Sequence, residues 1–214
     1  MFIYVKKDPG DWYPIYNEIK RKKYKYIYFI GPVKTIGDDW FNQDKHKYNP
    51  NWVLFKDLEE IDFSGLSSLE SVGNNWMLNC PLKYVNFYDF STQREIHNFN
   101  GLDSLKKVGD NWMSGCDNLE KIYFTGFDKL ESVGNGWMQN CKRLDTVTFN
   151  PLNKLKSVGN NWMQNCEKLN IVTFIGLNIL ESIGRNWLGK CKNSKKSKYI
   201  KNGSNISLYC DIVK

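Results

Sequence analysis

Apolar and polar positions recur in a fixed order along the second half of the chain. From Leu144 it reads LDTVTFNPLNKLKSVGNNWMQNC, and from Leu169 it reads LNIVTFIGLNILESIGRNWLGKC. Val147 and Phe149, like Val172 and Phe174, alternate with Thr, which predicts a short strand with one buried face. Leu155 and Val158 follow across a second extended piece, Lys-Ser-Val-Gly, that ends in a turn. The period then changes. Trp162, Met163 and Cys166 stand four, five and eight positions after Val158, the spacing of one face of a short helix. Asn beside the Gly is suited to accept a hydrogen bond from the first free helical N–H groups. Each unit is thus expected to run strand, bend, short strand, helical turn.

The same string is written many times. Aligned on Trp, the copies are Gly37 to Trp40, Gly73 to Trp76, Gly109 to Trp112, Gly134 to Trp137, Gly159 to Trp162 and Gly184 to Trp187. Their Trp-to-Trp spacings are 36, 36, 25, 25 and 25, a 25-residue unit with 11-residue insertions in the first two intervals. Cys80, Cys116, Cys141, Cys166 and Cys191 keep the same metre, and Cys210 stands outside it. A unit this small cannot enclose its own apolar residues, whereas stacked neighbours bury a continuous core. The fold class expected is an α/β repeat solenoid of about six coils, with short strands, short helical turns and a cap at each end.

The pattern Leu-x-x-Val-x-Phe, then Val/Ile-Gly-x-x-x-large apolar-x-x-Cys-x-x-Leu, resembles the BspA-like class of leucine-rich repeats. That class shows Ile-Gly-x-x-Ala-Phe-x-x-Cys-x-x-Leu; here Trp76-Met77 and Trp162-Met163 stand where it has Ala-Phe, and the unit is two residues longer. The resemblance spans roughly Leu58 to Cys191. It implies a leucine-rich-repeat coil stack, no particular partner, and a binding rather than catalytic role. The Asn-, Lys- and Tyr-rich composition also looks like repeat proteins of large DNA viruses of amoebae and of some anaerobic protists.

On this reading residues 1–57 form an N-terminal cap with one degenerate repeat, 58–191 the repeats, and 192–214 a basic segment with a capping strand, all in one structural domain. Phe2 to Val5 and Tyr24 to Ile30 read as strands, and Trp12 to Lys23 as a short amphipathic helix. Ser204 to Val213 places Ile206, Leu208, Cys210 and Ile212 on one face, as an edge-covering strand would.

Charge is divided rather than spread. Residues 1–50 hold ten Lys/Arg and six Asp/Glu, 51–183 twelve and sixteen, and 184–214 eight and one. The net +7 therefore belongs to the ends, while the repeats are mildly acidic. Basic runs with interleaved Tyr, such as Lys20 to Lys25 and Lys190 to Lys201, could meet phosphate backbones or acidic lipid headgroups, but they lack any base-reading motif and read first as solvated ends, so nucleic acid is not the expected partner. The opening residues lack a secretory h-region, which puts the expected location inside a cell or virion. Asn202-Gly-Ser and Asn205-Ile-Ser match the glycosylation acceptor pattern, which an Asn-rich chain also produces by chance.

The Cys row is geometrically compatible with a disulfide ladder. One Cys per unit, pointing one way, reads first as small buried thiols filling a core slot, and if any pair bonds it is Cys191 with Cys210. Metal binding has no support, because His46 and His97 lie outside the repeat register. No nucleophile, base or dinucleotide loop is identifiable, so no catalytic, cofactor-binding or metal-binding residue is assigned and no cofactor is expected.

Two surface patterns remain. The residue two before each Val/Ile-Gly valine or isoleucine is Lys34, Glu70, Lys106, Glu131, Lys156 and Glu181, alternating in sign throughout. Neighbouring coils would oppose unlike charges, and a slipped register would oppose like ones. The second pattern is the outward set of the first strand: Glu60, Asp62; Tyr84, Asn86; Lys121, Tyr123; Thr146, Thr148; and Ile171, Thr173. It changes character from coil to coil over a constant frame, as in solenoid binding surfaces. These residues are the candidate protein-binding row of a concave face, with Tyr84, Tyr123 and Ile171 as anchors. The insertion from Tyr88 to Asn98 is either a loop at the edge of that surface or a tolerated insertion. The function expected is a non-enzymatic protein–protein interaction scaffold, monomeric by itself. The alternative is a self-associating structural component of a virion or cell surface.

Overall fold

The computed structural model describes residues 2–5, 26–29, 32–40, 60–62, 66–80, 102–174, 176–191, 197–202 and 205–210. The segment 12–23 read as a helix, Tyr84 and Asn86, and the insertion near Tyr88 lie outside them. Among the described residues no helix is long and apolar enough to cross a membrane.

Two parallel sheets join the repeats, one across three units and the other across six among the described residues. The first strands of successive units, β7 (Lys121–Thr125), β9 (Thr146–Asn150) and β11 (Ile171–Phe174), pair in the order β11-β9-β7. The second, two-residue strands make a six-stranded sheet: β3 (Thr35–Ile36), β5 (Ser71–Val72), β6 (Lys107–Val108), β8 (Ser132–Val133), β10 (Ser157–Val158) and β12 (Ser182–Ile183), in chain order from one end to the other. Equivalent residues face each other across every pair, Val147 with Val172 and Val133 with Val158. Near the N-terminus β1 (Phe2–Val5), β2 (Tyr26–Phe29) and β4 (Glu60–Asp62) form a parallel sheet of three. At the other end β13 (Ser197–Asn202) and β14 (Asn205–Cys210) form an antiparallel hairpin whose second strand runs close beside β11.

The core fills the space enclosed by the coils and is continuous from Val33 to Cys191. Trp76, Trp112, Trp137, Trp162 and Trp187 form one stack, with successive ring centroids 5.4, 5.0, 5.1 and 5.9 Å apart. Phe124, Phe149 and Phe174 form a second at 4.7 and 5.0 Å, and its rings meet the indoles at steep angles. The indole N–H groups of Trp112, Trp137 and Trp162 are buried without an acceptor. That costs about 1–3 kcal/mol each, against about 4–6 kcal/mol from burying 150–250 Å² of aromatic surface at 25 cal/mol per Å². Burial wins, which lets the row persist.

The expected helical turns are absent. Residues 74–79, 110–115, 135–140, 160–165 and 185–190 are runs of turns, and no α-helix occurs among the described residues. Every second residue in them is left-handed, as at Asn161 (φ 61°), Met163 (51°) and Asn165 (60°). This alternation prevents the i to i−4 bonds of a helix and directs the backbone N–H groups to neighbouring coils instead. Asn161 N donates to Arg185 O at 2.7 Å, Met163 N back to Trp137 O at 2.8 Å, and Asn165 N forward to Gly189 O at 2.8 Å. The left-handed conformation costs roughly 1–2 kcal/mol per non-glycine residue, least for Asn. Asn, or Gly at Gly115 and Gly136, fills most first and third left-handed positions; Met or Leu fills the middle one, where its side chain is buried.

Side chains reinforce the same contacts. Asn74 N, Asp110 N, Asn135 N, Asn160 N and Arg185 N each donate to the Oδ1 of the residue one coil earlier, at 2.7–2.8 Å. A second column links Asn111 Nδ2 to Asn75 Oδ1 at 2.9 Å and Asn186 Nδ2 to Asn161 Oδ1 at 3.0 Å. Where Gly136 interrupts it, Gln139 Nε2 reaches Asn111 Oδ1 at 3.1 Å. The glycine of the Val/Ile-Gly pair permits this approach, since a Cβ on Gly159 would lie 2.6 Å from the Gly134 carbonyl carbon and from Asn135 N.

Candidate functional site

Inward and outward positions of the first strand separate as the alternation predicts. Ile122, Phe124, Val147, Phe149, Val172 and Phe174 are buried. On the opposite face β-pairing sets Lys121 beside Thr146 beside Ile171, and Tyr123 beside Thr148 beside Thr173, giving two rungs of three side chains. Lys121 is exposed, Tyr123, Thr148 and Thr173 are half-buried, and Ile171 is 44 % exposed. Thr146 departs from the expectation. It is buried, and its hydroxyl donates to Asp145 Oδ2 at 2.8 Å, so it supports the row rather than presenting itself.

Glu60 and Asp62 are on β4, which pairs with β2 through Tyr26 and Tyr28, in a different sheet from Lys121 and Ile171. The ten candidates therefore do not form one uninterrupted row within the described residues. Five of them, Lys121, Tyr123, Thr148, Ile171 and Thr173, make a patch across three adjacent strands.

Charged side chains at the N-terminal end of this sheet lock to one another across coils. Arg143 Nη2 donates to Glu120 Oε1 at 2.8 Å and Lys142 Nζ to Asp117 Oδ2 at 3.3 Å. Partial burial and then the charge of Asp128 raise the Asp103 carboxyl above its ordinary value. The charge ladder lies on the other sheet. Its residues stack in register through backbone bonds, Lys106 N to Glu70 O, Glu131 N to Lys106 O, Lys156 N to Glu131 O and Glu181 N to Lys156 O, at 2.8–2.9 Å. Lys106 Nζ closes on Glu70 Oε2 at 2.8 Å, which holds the Glu70 carboxyl below its ordinary range and the Lys106 ammonium above its own.

Cys80, Cys116, Cys141, Cys166 and Cys191 are buried, and the last four are free thiols. From the second onward each Sγ donates to the backbone carbonyl of the Met one coil earlier, as Cys166 to Met138 O at 3.1 Å and Cys191 to Met163 O at 3.0 Å. Burial pushes the Cys141 thiol well up, and the adjacent Cys141 thiol, with burial, does the same for Cys166. Among the described residues no three His, Cys, Asp or Glu side chains converge as metal ligands would.

One feature of the turns was open to sequence reasoning and missed. Trp162, Met163 and Cys166 suit a helical face, yet Asn or Gly at alternate positions, as in Asn75 and Asn79 or Asn161 and Asn165, is the signature of recurrent left-handed residues.

No curated protein matches this chain, and no solved structure does. The model of the BspA type leucine rich repeat region matches residues 83–210 in six copies. Upstream of that range, residues 32–40 and 66–80 carry the same short strands and turns, in register with the rest. With Leu and Phe turned inward, one Cys per coil and parallel strands stacked unit upon unit, the chain belongs to the BspA-type leucine-rich repeat family.

Proposed function

We propose that this protein is a non-enzymatic interaction scaffold that holds a protein partner on the outward face of β7, β9 and β11. Leucine-rich repeats generally mediate protein–protein contact, and their family is generally non-enzymatic. The observation that carries the reading is the division of labour within this sheet. Its coils are joined by backbone pairing, while its outward rungs read Lys121, Thr146, Ile171 and Tyr123, Thr148, Thr173 and so change along the stack. Exposed Ile171 on β11 and half-buried Tyr123 on β7, with β9 between them, supply apolar contact area, and Lys121 supplies a charge at its edge. A protein surface suits this mixture better than a phosphate backbone, because the repeat body from 51 to 183 holds more Asp/Glu than Lys/Arg, sixteen to twelve.

The test is affinity capture with the wild-type chain beside a Tyr123→Ala, Ile171→Ser variant of unchanged circular dichroism. A partner retained by the first and lost by the second supports the reading. Equal retention of every partner would remove this face from consideration.

A further inference from the structure

The last coil, residues 176–191, differs from the inner coils in what it leaves uncovered. Leu155, Val158 and Trp162 are buried, but their equivalents Leu180, Ile183 and Trp187 are only partly so. The first coil shows no such opening, with Val33, Ile36 and Trp40 at 0, 2 and 0 % exposure. Ile179 is 43 % exposed, in a position where the earlier coils carry Ser68, Ser104, Lys129 and Lys154.

The backbone at this end is open as well. Each inner coil is bonded on both sides: the carbonyls of Lys156 and Val158 accept from Glu181 N and Gly184 N, and Asn161 N and Asn165 N donate forward. Among the described residues nothing bonds to the equivalent carbonyls of Glu181 and Ile183 or to the N–H groups of Asn186 and Lys190. The terminal hairpin follows β11 on the other sheet, and β12 is the end of its own. Two side-chain columns also stop here, since Arg185 and Lys190 stand where Asn160 and Asn165 stood. An edge with free backbone groups and apolar surface is a pairing surface.

We propose that this face binds the same face of a second copy, edge to edge about a two-fold axis near Ile183. The charges select that occupant. Glu181 and Arg185, both exposed, stand two residues to either side of Ile183. Antiparallel pairing about Ile183 sets each Glu181 opposite the second copy's Arg185, twice per dimer, and brings the two Ile179–Trp187 surfaces together. An isologous contact needs this self-complementarity. A head-to-tail filament would instead need an open first coil, and Val33, Ile36 and Trp40 are covered. The eight Lys/Arg of residues 184–214 oppose the approach of two copies, but salt screens the tails over about 8 Å at physiological ionic strength.

The experiment is sedimentation velocity of the full chain at physiological salt, over a wide concentration range, for wild type, Glu181→Arg, Arg185→Glu, the double exchange and Ile179→Lys, with circular dichroism and melting temperature as fold controls. The wild type is expected to pass from monomer to dimer with rising concentration. Each single charge change sets like charges opposite each other and weakens the dimer by about tenfold or more, the double exchange restores it, and Ile179→Lys weakens it without lowering the melting temperature. A chain that stays monomeric, a dimer indifferent to the single changes, or a double exchange that fails to restore pairing overturns the proposal.

Discussion

The strand side of each coil and its turn side hold the same neighbours by different means. Along β7, β9 and β11 the backbone ladder joins the coils, and exposed positions of one rung carry unlike residues, Lys121 and Ile171, on either side of buried Thr146. Along 110–115, 135–140 and 160–165 the backbone reaches both neighbours only by taking left-handed residues, and side-chain amides complete the contacts. Variation there would break the stack, so Asn, Gly, Trp and Cys recur. A solenoid can carry information only where its side chains are not needed for stacking. Here the place proposed for it is the outward strand face.

The comparison can be broken most severely at the core that both sides share. Trp162→Ala removes a ring stacked between Trp137 and Trp187 and is expected to cost about 3–5 kcal/mol; an unchanged denaturation midpoint would contradict it. Gly159→Ala forces a Cβ against the backbone of the preceding coil, and overpacking of this kind costs about 1–3 kcal/mol, read by urea unfolding.

Smaller effects separate the two sides. Asn161 has φ 61°, so Asn161→Ala should be about 1 kcal/mol worse than Asn161→Gly, since both lose the amide and only Ala resists the left-handed backbone. On the strand face, Lys121→Ala and Ile171→Ser should each change stability by no more than about 0.5 kcal/mol while altering partner capture. An effect there as large as that of Asn161→Ala would mean the outward row is structural after all.

The smallest effect concerns the charge ladder. Changing Lys34, Lys106 and Lys156 together to Glu should lower the melting temperature at low salt and leave it nearly unchanged at high salt, because Lys106 and Glu70 are exposed. Glu70 is held below its ordinary range by Lys106, so its support is present above the usual carboxylate range and lost as pH falls through its depressed value. Lys106, raised by Glu70, contributes below the ordinary ammonium range and loses that contribution only as pH rises through its raised value. A melting difference between wild type and variant that does not narrow on acidification would argue against the pair.

Much of this architecture was legible in advance, because stacking imposes identical demands on every unit. Val147 and Phe149 faced inward as their alternation with Thr required, and the Cys column and the Trp column as far as Trp162 are buried. The turn was misread because Trp162, Met163 and Cys166 satisfy two geometries at once, and spacing alone does not report the sign of φ. Thr146 was misread for a related reason: strand parity assigns a face, but Asp145 Oδ2 and the surrounding chain decide how far a side chain on that face is covered.

The sequence by itself determined the repeat, its period, the inward residues and the alternating charges, all consequences of a local pattern copied at fixed intervals. The tertiary structure alone decided that the turns are left-handed zigzags, that Asn side chains bond from coil to coil, and that Leu180, Ile183 and Trp187 of the last coil are only partly buried while Val33, Ile36 and Trp40 are covered. Those features depend on contacts between residues 24 or more positions apart, and such contacts exist only once the coils are stacked.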